Sequence, residues 1–314
     1  MHSGSQWYLG LTLLGVVVVL WVASGFFMSE MSDVYSKPYF VTYINTCLMS
    51  LYLPFGYRNH TIDRFKFSVT DTAKLSFVFF ALWFLSNLLS NAAYYYTTVQ
   101  SATIISCSSS FFTLIIGAYF GVENFALNKV IPIVISFFGL ALITSQDSQK
   151  LSAPALAVVG NIFAFGSAIL YGFYTTLLKK QVGDESNLNT KLFFGFVGIY
   201  TLISLWPIIF LLNYFEIETF ALPPSAKIWW LLALNGVTII ISDFCWVLST
   251  LMTSPLVVSV GLSATIPLSM LGEVILHHRY ASPIYLLGAA LVGYSFYAIN
   301  VREHEDEIEA YDQL

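Results

Sequence analysis

Residues 86–116 read SNLLSNAAYYYTTVQSATIISCSSSFFTLII. The stretch is apolar enough to lie in a membrane, yet it carries two Asn, three consecutive Tyr and a run of Ser and Thr. In hydrocarbon each unsatisfied polar group costs several kcal/mol. Polar side chains at that depth therefore face other helices or a water-filled cavity. The rest of the chain supports the membrane reading. Of its 314 residues 57% are hydrophobic and 10% charged, and the mean hydropathy is +0.74. Soluble domains carry roughly 25% charged residues, so this composition cannot cover a water-facing surface. The apolar runs do not alternate as barrel strands do, so they are helical.

Ten spans follow, at about 7–28, 39–57, 74–96, 102–120, 129–145, 153–178, 192–213, 228–251, 256–276 and 283–300. A helix crosses roughly 30 Å at 1.5 Å per residue, which the shorter runs manage with local thinning. MHSGSQ at the start is too short and uncharged for a cleavable signal, so the first run is a spanning helix. The connections are short. The longest, about 58–73, is polar, and Asp71 or Thr72 is placed to cap the third helix. The organisation expected is a short N-tail at 1–6, a first five-helix repeat at 7–145, a linker at 146–152, a second repeat at 153–300 and an acidic C-tail at 301–314. Spans 3–5 and 8–10 share one plan: a polar-containing helix, a very short turn, a Ser/Thr-bearing helix, a loop and a shorter helix. Five is odd, so two five-helix halves have opposite orientation, the arrangement of inverted-repeat transporters with a site near the midplane.

With ten spans both termini share a side. That side holds nine of the 13 Lys and Arg residues, and the other holds Lys37, Lys150, Lys227 and Arg279. The positive-inside rule then makes the termini cytosolic. The sequon Asn59-His60-Thr61 falls on the same side and is expected to stay unmodified.

The polar residues fall on helical faces. Asn87, Asn91, Tyr94 and Thr98 are spaced by 4, 3 and 4, one stripe that lines a cavity or binds helices together. Ser106, Ser109 and Thr113 form a second stripe, with close helix packing as the competing role. Tyr171 is a cavity candidate, whereas Tyr174 suits an interfacial belt. Asp243, with Trp246 and Thr250 on its face, is an acid inside a span and a functional candidate by default; the competing role is a structural hydrogen bond. Ser259, Ser263 and Glu273 share a face of the ninth span, which Pro267 kinks. Snorkelling to water is the alternative for Glu273. Asp243 and Glu273 are the candidate proton or cation sites. Trp21, Ser24, Tyr43, Asn45, Asn161 and Asn235 are weaker cavity candidates.

No Lys or Arg lies in mid-membrane, which favours a cationic or neutral solute over a strongly anionic one. Cys47, Cys107 and Cys245 lie in apolar runs with no metal spacing and read as packing residues. His277-His278-Arg279 reads as a solvated loop start. No GxSxG, HExxH or phosphate-binding glycine loop occurs, so no catalytic residue, metal or cofactor is expected, and no basic stretch points to nucleic acid. The tail REHEDEIEAYDQL is expected to be disordered. It ends Tyr311-Asp312-Gln313-Leu314, a tyrosine-based sorting pattern that directs a protein to endosomal, lysosomal or vacuolar membranes.

The stretch from Lys74-Leu75-Ser76 through Leu82-Trp83-Phe84 and Asn87 to Ser106 and Ser109-Ser110-Phe111-Phe112-Thr113-Leu114 resembles the drug/metabolite transporter superfamily, and within it the F branch of solute carrier family 35, with fungal vacuolar-membrane members the nearest in look. Tyr171 to Glu185, Phe193 to Gly198 with Leu205-Trp206-Pro207, and Ser242 to Trp246 with Thr253-Ser254-Pro255-Leu256 look like the same family. Two departures stand out: a short loop between spans 2 and 3, and Cys107 where the family's run has serine. The resemblance implies an all-α integral membrane fold of ten helices in two inverted five-helix repeats. It also implies a cavity between spans 1–4 and 6–9, and alternating access. It names no substrate, although thiamine is suggested for some members. The reading is a multi-pass secondary transporter of a small organic solute in a vacuolar or lysosomal membrane, with Golgi or endoplasmic reticulum as the other location. The competing class is a non-transporting membrane scaffold or sorting protein. The lipid bilayer, a homodimer through peripheral helices and sorting adaptors at the tail are the further partners expected.

Overall fold

The computed structural model describes residues 3–32, 34–35, 37–62, 65–96, 105–144, 154–277 and 283–312. All regular structure in them is helical. The α-helices are α1 (Ser3–Ser32), α2 (Pro38–Leu48), α3 (Tyr52–Ile62), α4 (Val69–Tyr96), α5 (Ser109–Phe120), α6 (Leu127–Thr144), α7 (Pro154–Val182), α8 (Thr190–Ser204), α9 (Trp206–Tyr214), α10 (Ala226–Met252), α11 (Pro255–Leu262), α12 (Thr265–His277) and α13 (Pro283–Asp312). Five stretches, Ser5–Met28, Val69–Ser90, Val158–Val182, Thr190–Tyr214 and Ala226–Met252, are long and apolar enough to cross a membrane.

Proline explains where three apolar runs break. A proline ring strikes the carbonyl of residue i−4. Pro267 points at Ser263, and the helix stops at Leu262 and restarts at Thr265. Pro54 points at Ser50, which lies in the 3₁₀ turn Met49–Leu51 between α2 and α3. Pro207 follows the break between α8 and α9 at Leu205. Pro132 sits in the first turns of α6 and does not break it; its carbonyl accepts the Ser295 hydroxyl at 2.6 Å.

The chain forms two compact units. One comprises Met1–Val18, Leu82–Gly183 and Ser249–Leu314, and the other Val19–Ala81 and Asp184–Leu248. Three of the four boundaries fall inside α1, α4 and α10, and the fourth follows the end of α7.

In the first unit α6 packs along α13, α5 packs on α7, and α11 touches α5, α7 and α13. Glycines set these approaches. A Cβ on Gly139 of α6 would lie 2.8 Å from the Gly288 carbonyl oxygen of α13, and one on Gly288 would lie 2.6 Å from that of Gly139. Small residues at such crossings let backbones meet when no water is present to drive helices together. The opposite face of α6, with Ile131, Val134 and Phe138, is exposed, as a lipid-facing stripe would be. Trp7 donates to the Asn300 side chain at 2.9 Å and stacks on His304, so the start of α1 and the C-terminal part of α13 lie together.

In the second unit α8 packs against α2 and α3. Gly195 and Gly198 admit the backbone of Leu53 and Ser50, and Gly56 admits that of Leu192. Asn189 caps α8 by accepting from Leu192 N–H at 3.1 Å, and its amide donates to the Gly56 carbonyl at 2.8 Å. The helix order and its glycines thus follow from the sequence.

Three expectations change. The cap of α4 is Ser68, whose hydroxyl accepts from Asp71 N–H at 3.1 Å and donates to the Asp71 carboxylate at 2.6 Å, so Asp71 is the reciprocal partner rather than the cap. The tail does not lack structure: α13 runs on to Asp312, because Glu303 and Asp306, three apart on one face, are tied to Lys129. Tyr174 is buried and edge-packed on Tyr171, which rules out a place in an interfacial belt.

Candidate functional site

Asp243 stands near the middle of α10, 6% exposed. Helix propensity does not place it there; the apolar run on both sides does, and the helix carries the carboxylate with it. Its Oδ2 meets no hydrogen-bond donor among the described residues. The Tyr52 hydroxyl is within electrostatic range of it and donates at 3.2 Å to the Ile240 carbonyl one turn earlier. Trp246, three residues on, is buried and lies against Phe79 with ring centroids 6.2 Å apart. Nearer the other end of α10, the Ser24 hydroxyl donates to Asn235 Oδ1 at 2.7 Å. The Asn235 amide nitrogen and the Asn45 amide oxygen stay without partners among the described residues. The second unit therefore carries Asn45, Asn235 and Asp243 as buried polar groups on α2 and α10, with the half-buried Ser24 of α1 bonded to Asn235. An unpaired buried acceptor in a native protein calls for an explanation, and a bound ligand, ion or water is the usual one.

Trp21 and Tyr43 also belong to the second unit, and the other sequence candidates lie in the first. Asn87 donates its amide to the Trp83 carbonyl of its own helix at 2.8 Å. Beside it, Ser86 is the residue that bridges to α7, donating to the Ser167 carbonyl at 3.1 Å. Ser106 has a buried hydroxyl without a partner among the described residues, whereas the hydroxyl of Ser259 donates to the Leu256 carbonyl at 2.9 Å. Ser109 begins α5 and is half-buried. Ser263 hydrogen-bonds to the Cys107 thiol, which brings the serine stripe beside the break between α11 and α12. Tyr171 lies on α7 against Tyr174, ring centroids 5.3 Å apart. The side chains of Asn91, Tyr94, Glu273 and Tyr311, and all of Leu314, lie outside the described residues. Among the described residues no three His, Cys, Asp or Glu side chains converge as a metal site.

Sequence reasoning missed one cluster. Gly121, at φ 71°, ends α5, a left-handed cap that glycine adopts without strain. It turns the chain so that Glu123 tucks beneath α5, its Cγ 2.3 Å from where a Gly117 Cβ would stand. Glu123 accepts the Leu256 N–H at 3.1 Å, at the first turn of α11. Lys129 is buried and ion-paired to Glu303, and to Asp306 at 2.6 Å. Burial, and then the Glu303 carboxylate, hold the Glu123 carboxyl well above the usual carboxylate range. The signal in the sequence is a lone lysine at the start of an apolar run and two acids three apart just beyond the last one.

The match to known proteins joins these observations. Residues 8–145 match the EamA-like transporter family. The chain is 37% identical to an uncharacterized vacuolar membrane protein of Saccharomyces cerevisiae, covering 97% of this chain and 93% of that protein.

The chain belongs to the EamA-like transporter family.

Other relatives of this EamA-like protein agree. It is 35% identical to the thiamine-repressible mitochondrial transport protein of Saccharomyces cerevisiae, over 94% of this chain and 92% of that one. It is 33% identical to solute carrier family 35 member F5 of Macaca fascicularis, over 76% of this chain and 56% of that one. A crystal structure superposes with TM-score 0.75 at 14% identity, over 97% of this chain and 99% of the other, a likeness of fold. The family resemblance read from residues 74–116 and the later stretches is thus borne out. The protein is a membrane protein of a transporter family, and two of these relatives are named as a transport protein and a solute carrier.

Proposed function

We propose that the protein is a secondary transporter that moves a small organic solute across an internal membrane by alternating access. In this reading ten helical spans form two inverted five-helix repeats, both termini face the cytosol, and the membrane is that of the vacuole or lysosome. The vacuolar relative supports the location. The meeting of Trp7 with Asn300 and His304 supports a shared side for the termini. The substrate cavity takes Asn87, Asn91, Tyr94, Ser106, Ser109, Tyr171, Asp243, Trp246, Ser259 and Ser263 as its candidates.

The observation that carries the proposal is the Asp243 carboxylate, buried in an apolar helix with one oxygen that meets no donor among the described residues. A carboxylate left so is costly unless a proton, a cation or a cationic solute joins it. Asp243 is therefore the coupling or substrate-cation site, and Glu273 is the second candidate. The test is solute uptake into proteoliposomes at several pH values with the Asp243→Asn variant beside the wild type. Loss of uptake, or loss of its pH dependence, supports the role. Unchanged uptake with unchanged pH dependence removes it.

A further inference from the structure

The cluster around Lys129 holds more negative charge than its partners neutralise. Three carboxyl groups meet there, Glu123 from the loop after α5 and Glu303 and Asp306 from α13. Among the described residues, the cation paired with them is Lys129 of α6. Glu123 is 5% exposed, Glu303 6% and Lys129 1%, so water screens little of the imbalance. The carboxylate oxygens of the pair differ in their partners. Glu123 Oε1 takes the Leu256 amide. Glu123 Oε2 is buried and meets no donor among the described residues, while the Glu303 carboxyl lies within hydrogen-bonding reach of Glu123. Glu303 Oε1 takes the Lys129 ammonium. Two carboxyl groups in contact and out of water cannot both stay ionised without cost, and a proton between them removes it.

We propose that Glu123 and Glu303 bind one proton between them, and that this proton fastens the C-terminal helix α13 to the loop that holds the start of α11. The ligand is a proton from the aqueous phase at the end of the first unit where Trp7 and His304 meet. On deprotonation Glu123 passes its proton to water, and the cluster goes from one excess negative charge to two. Repulsion then falls on the bond between the Glu123 loop and α13. Arg302, next to Glu303 on α13, is half-buried with Nη1 meeting no acceptor among the described residues, and it is not among the charges that act on Glu123; the remaining charged groups nearby have other contacts. Lys180 lies over the Phe120 ring, 4.5 Å from its centroid. Lys179 donates to backbone carbonyls of Leu251 and Thr253. His304 faces Trp7 and Tyr8. From α11 the group facing Glu123 is the Leu256 amide, and the charges whose fields act on Glu123 are Glu303 and Lys129. The site is separate from Asp243, which belongs to the other unit.

The test is hydrogen exchange of the full-length protein in lipid nanodiscs over about pH 5 to 9, corrected for intrinsic amide rates. In the wild type, amides of residues 300–306 are expected to exchange at least about tenfold faster at the alkaline end. In Glu123→Gln the carboxamide donates to Glu303 at every pH, so the same amides stay slow and the pH step vanishes. Glu303→Gln supplies the donor from the other side and serves where the first variant does not fold; its step vanishes as well. A wild type with no step, or a glutamine variant that keeps it, overturns the proposal.

Discussion

The Lys179 ammonium of α7 donates to the Thr253 carbonyl oxygen at 2.8 Å, and it also takes that of Leu251. These oxygens belong to the C-terminal end of α10, where helix geometry leaves carbonyls without intrahelical partners. A cation there also meets the negative end of the helix dipole. Three residues further, Glu123 takes the Leu256 amide at the positive end of α11. The turn Met252-Thr253-Ser254-Pro255 is thus held by one charge of each sign, each on the end of a helix that favours it.

Replacing Lys179 by Met keeps the length of the side chain and removes its donors. Two carbonyls lose their partner, at a cost of about 1–3 kcal/mol. Denaturation of the purified protein in mixed detergent micelles measures it, with Lys179→Arg expected to retain most of the stability.

Gly198 admits the chain at Ser50 so closely that an added Cβ would lie 2.2 Å from Ser50 N and 2.8 Å from the Met49 carbonyl carbon. Both are backbone atoms, which cannot rotate away. Gly198→Ala is therefore expected to abolish folded protein, read as loss of a monodisperse peak on size exclusion. Gly15→Ala meets nothing within 4 Å, and by removing backbone freedom in a helix it is expected to be neutral or to stabilise by about 0.5–1 kcal/mol.

Removing Lys129 leaves Glu303 and Asp306 facing each other's charge, with Glu303 buried. Breaking a buried pair on one side costs about 3–5 kcal/mol. Lys129→Met is expected to lose that much. Adding Glu303→Leu to it should restore part of the loss, since an apolar pair of similar volume is often tolerated. The double variant read against the two single ones by denaturation gives the coupling.

Tyr35, in the loop between α1 and α2, donates its hydroxyl to the Ala221 carbonyl at 2.6 Å. Burial, and then Glu218, raise its pKa to about 12. The folded state thus holds this proton more tightly than the unfolded chain, whose tyrosines titrate near 10. The contribution is complete below about pH 10 and is lost as pH rises towards 12. The stability difference between wild type and Tyr35→Phe should be flat in the neutral range and shrink across that window.

Much of the fold was legible because hydrocarbon demands helices and tolerates few alternatives. Pro267 announced a break in its span, and the i−4 rule puts it at Ser263. The site was legible in part. Asp243 and Trp246 stand on one helix, so a spacing of three suffices to join them. The partner of a polar residue was not legible. Asn87 turns to its own helix and Ser86, its neighbour, makes the bridge to Ser167. Lys129 reads as one more loop cation, because Glu303 and Asp306 reach it from the far end of the chain. Local pattern carries no record of such a return.

The central claim is that this family member binds and moves a small solute. The most direct measurement is thermal stabilisation of the purified protein by a panel of vitamins (thiamine among them), amino acids, polyamines and nucleotide sugars. At least one cationic or neutral class is expected to raise the unfolding temperature of the wild type and to leave Asp243→Asn unmoved. A panel that stabilises neither protein would contradict the claim and favour the scaffold reading.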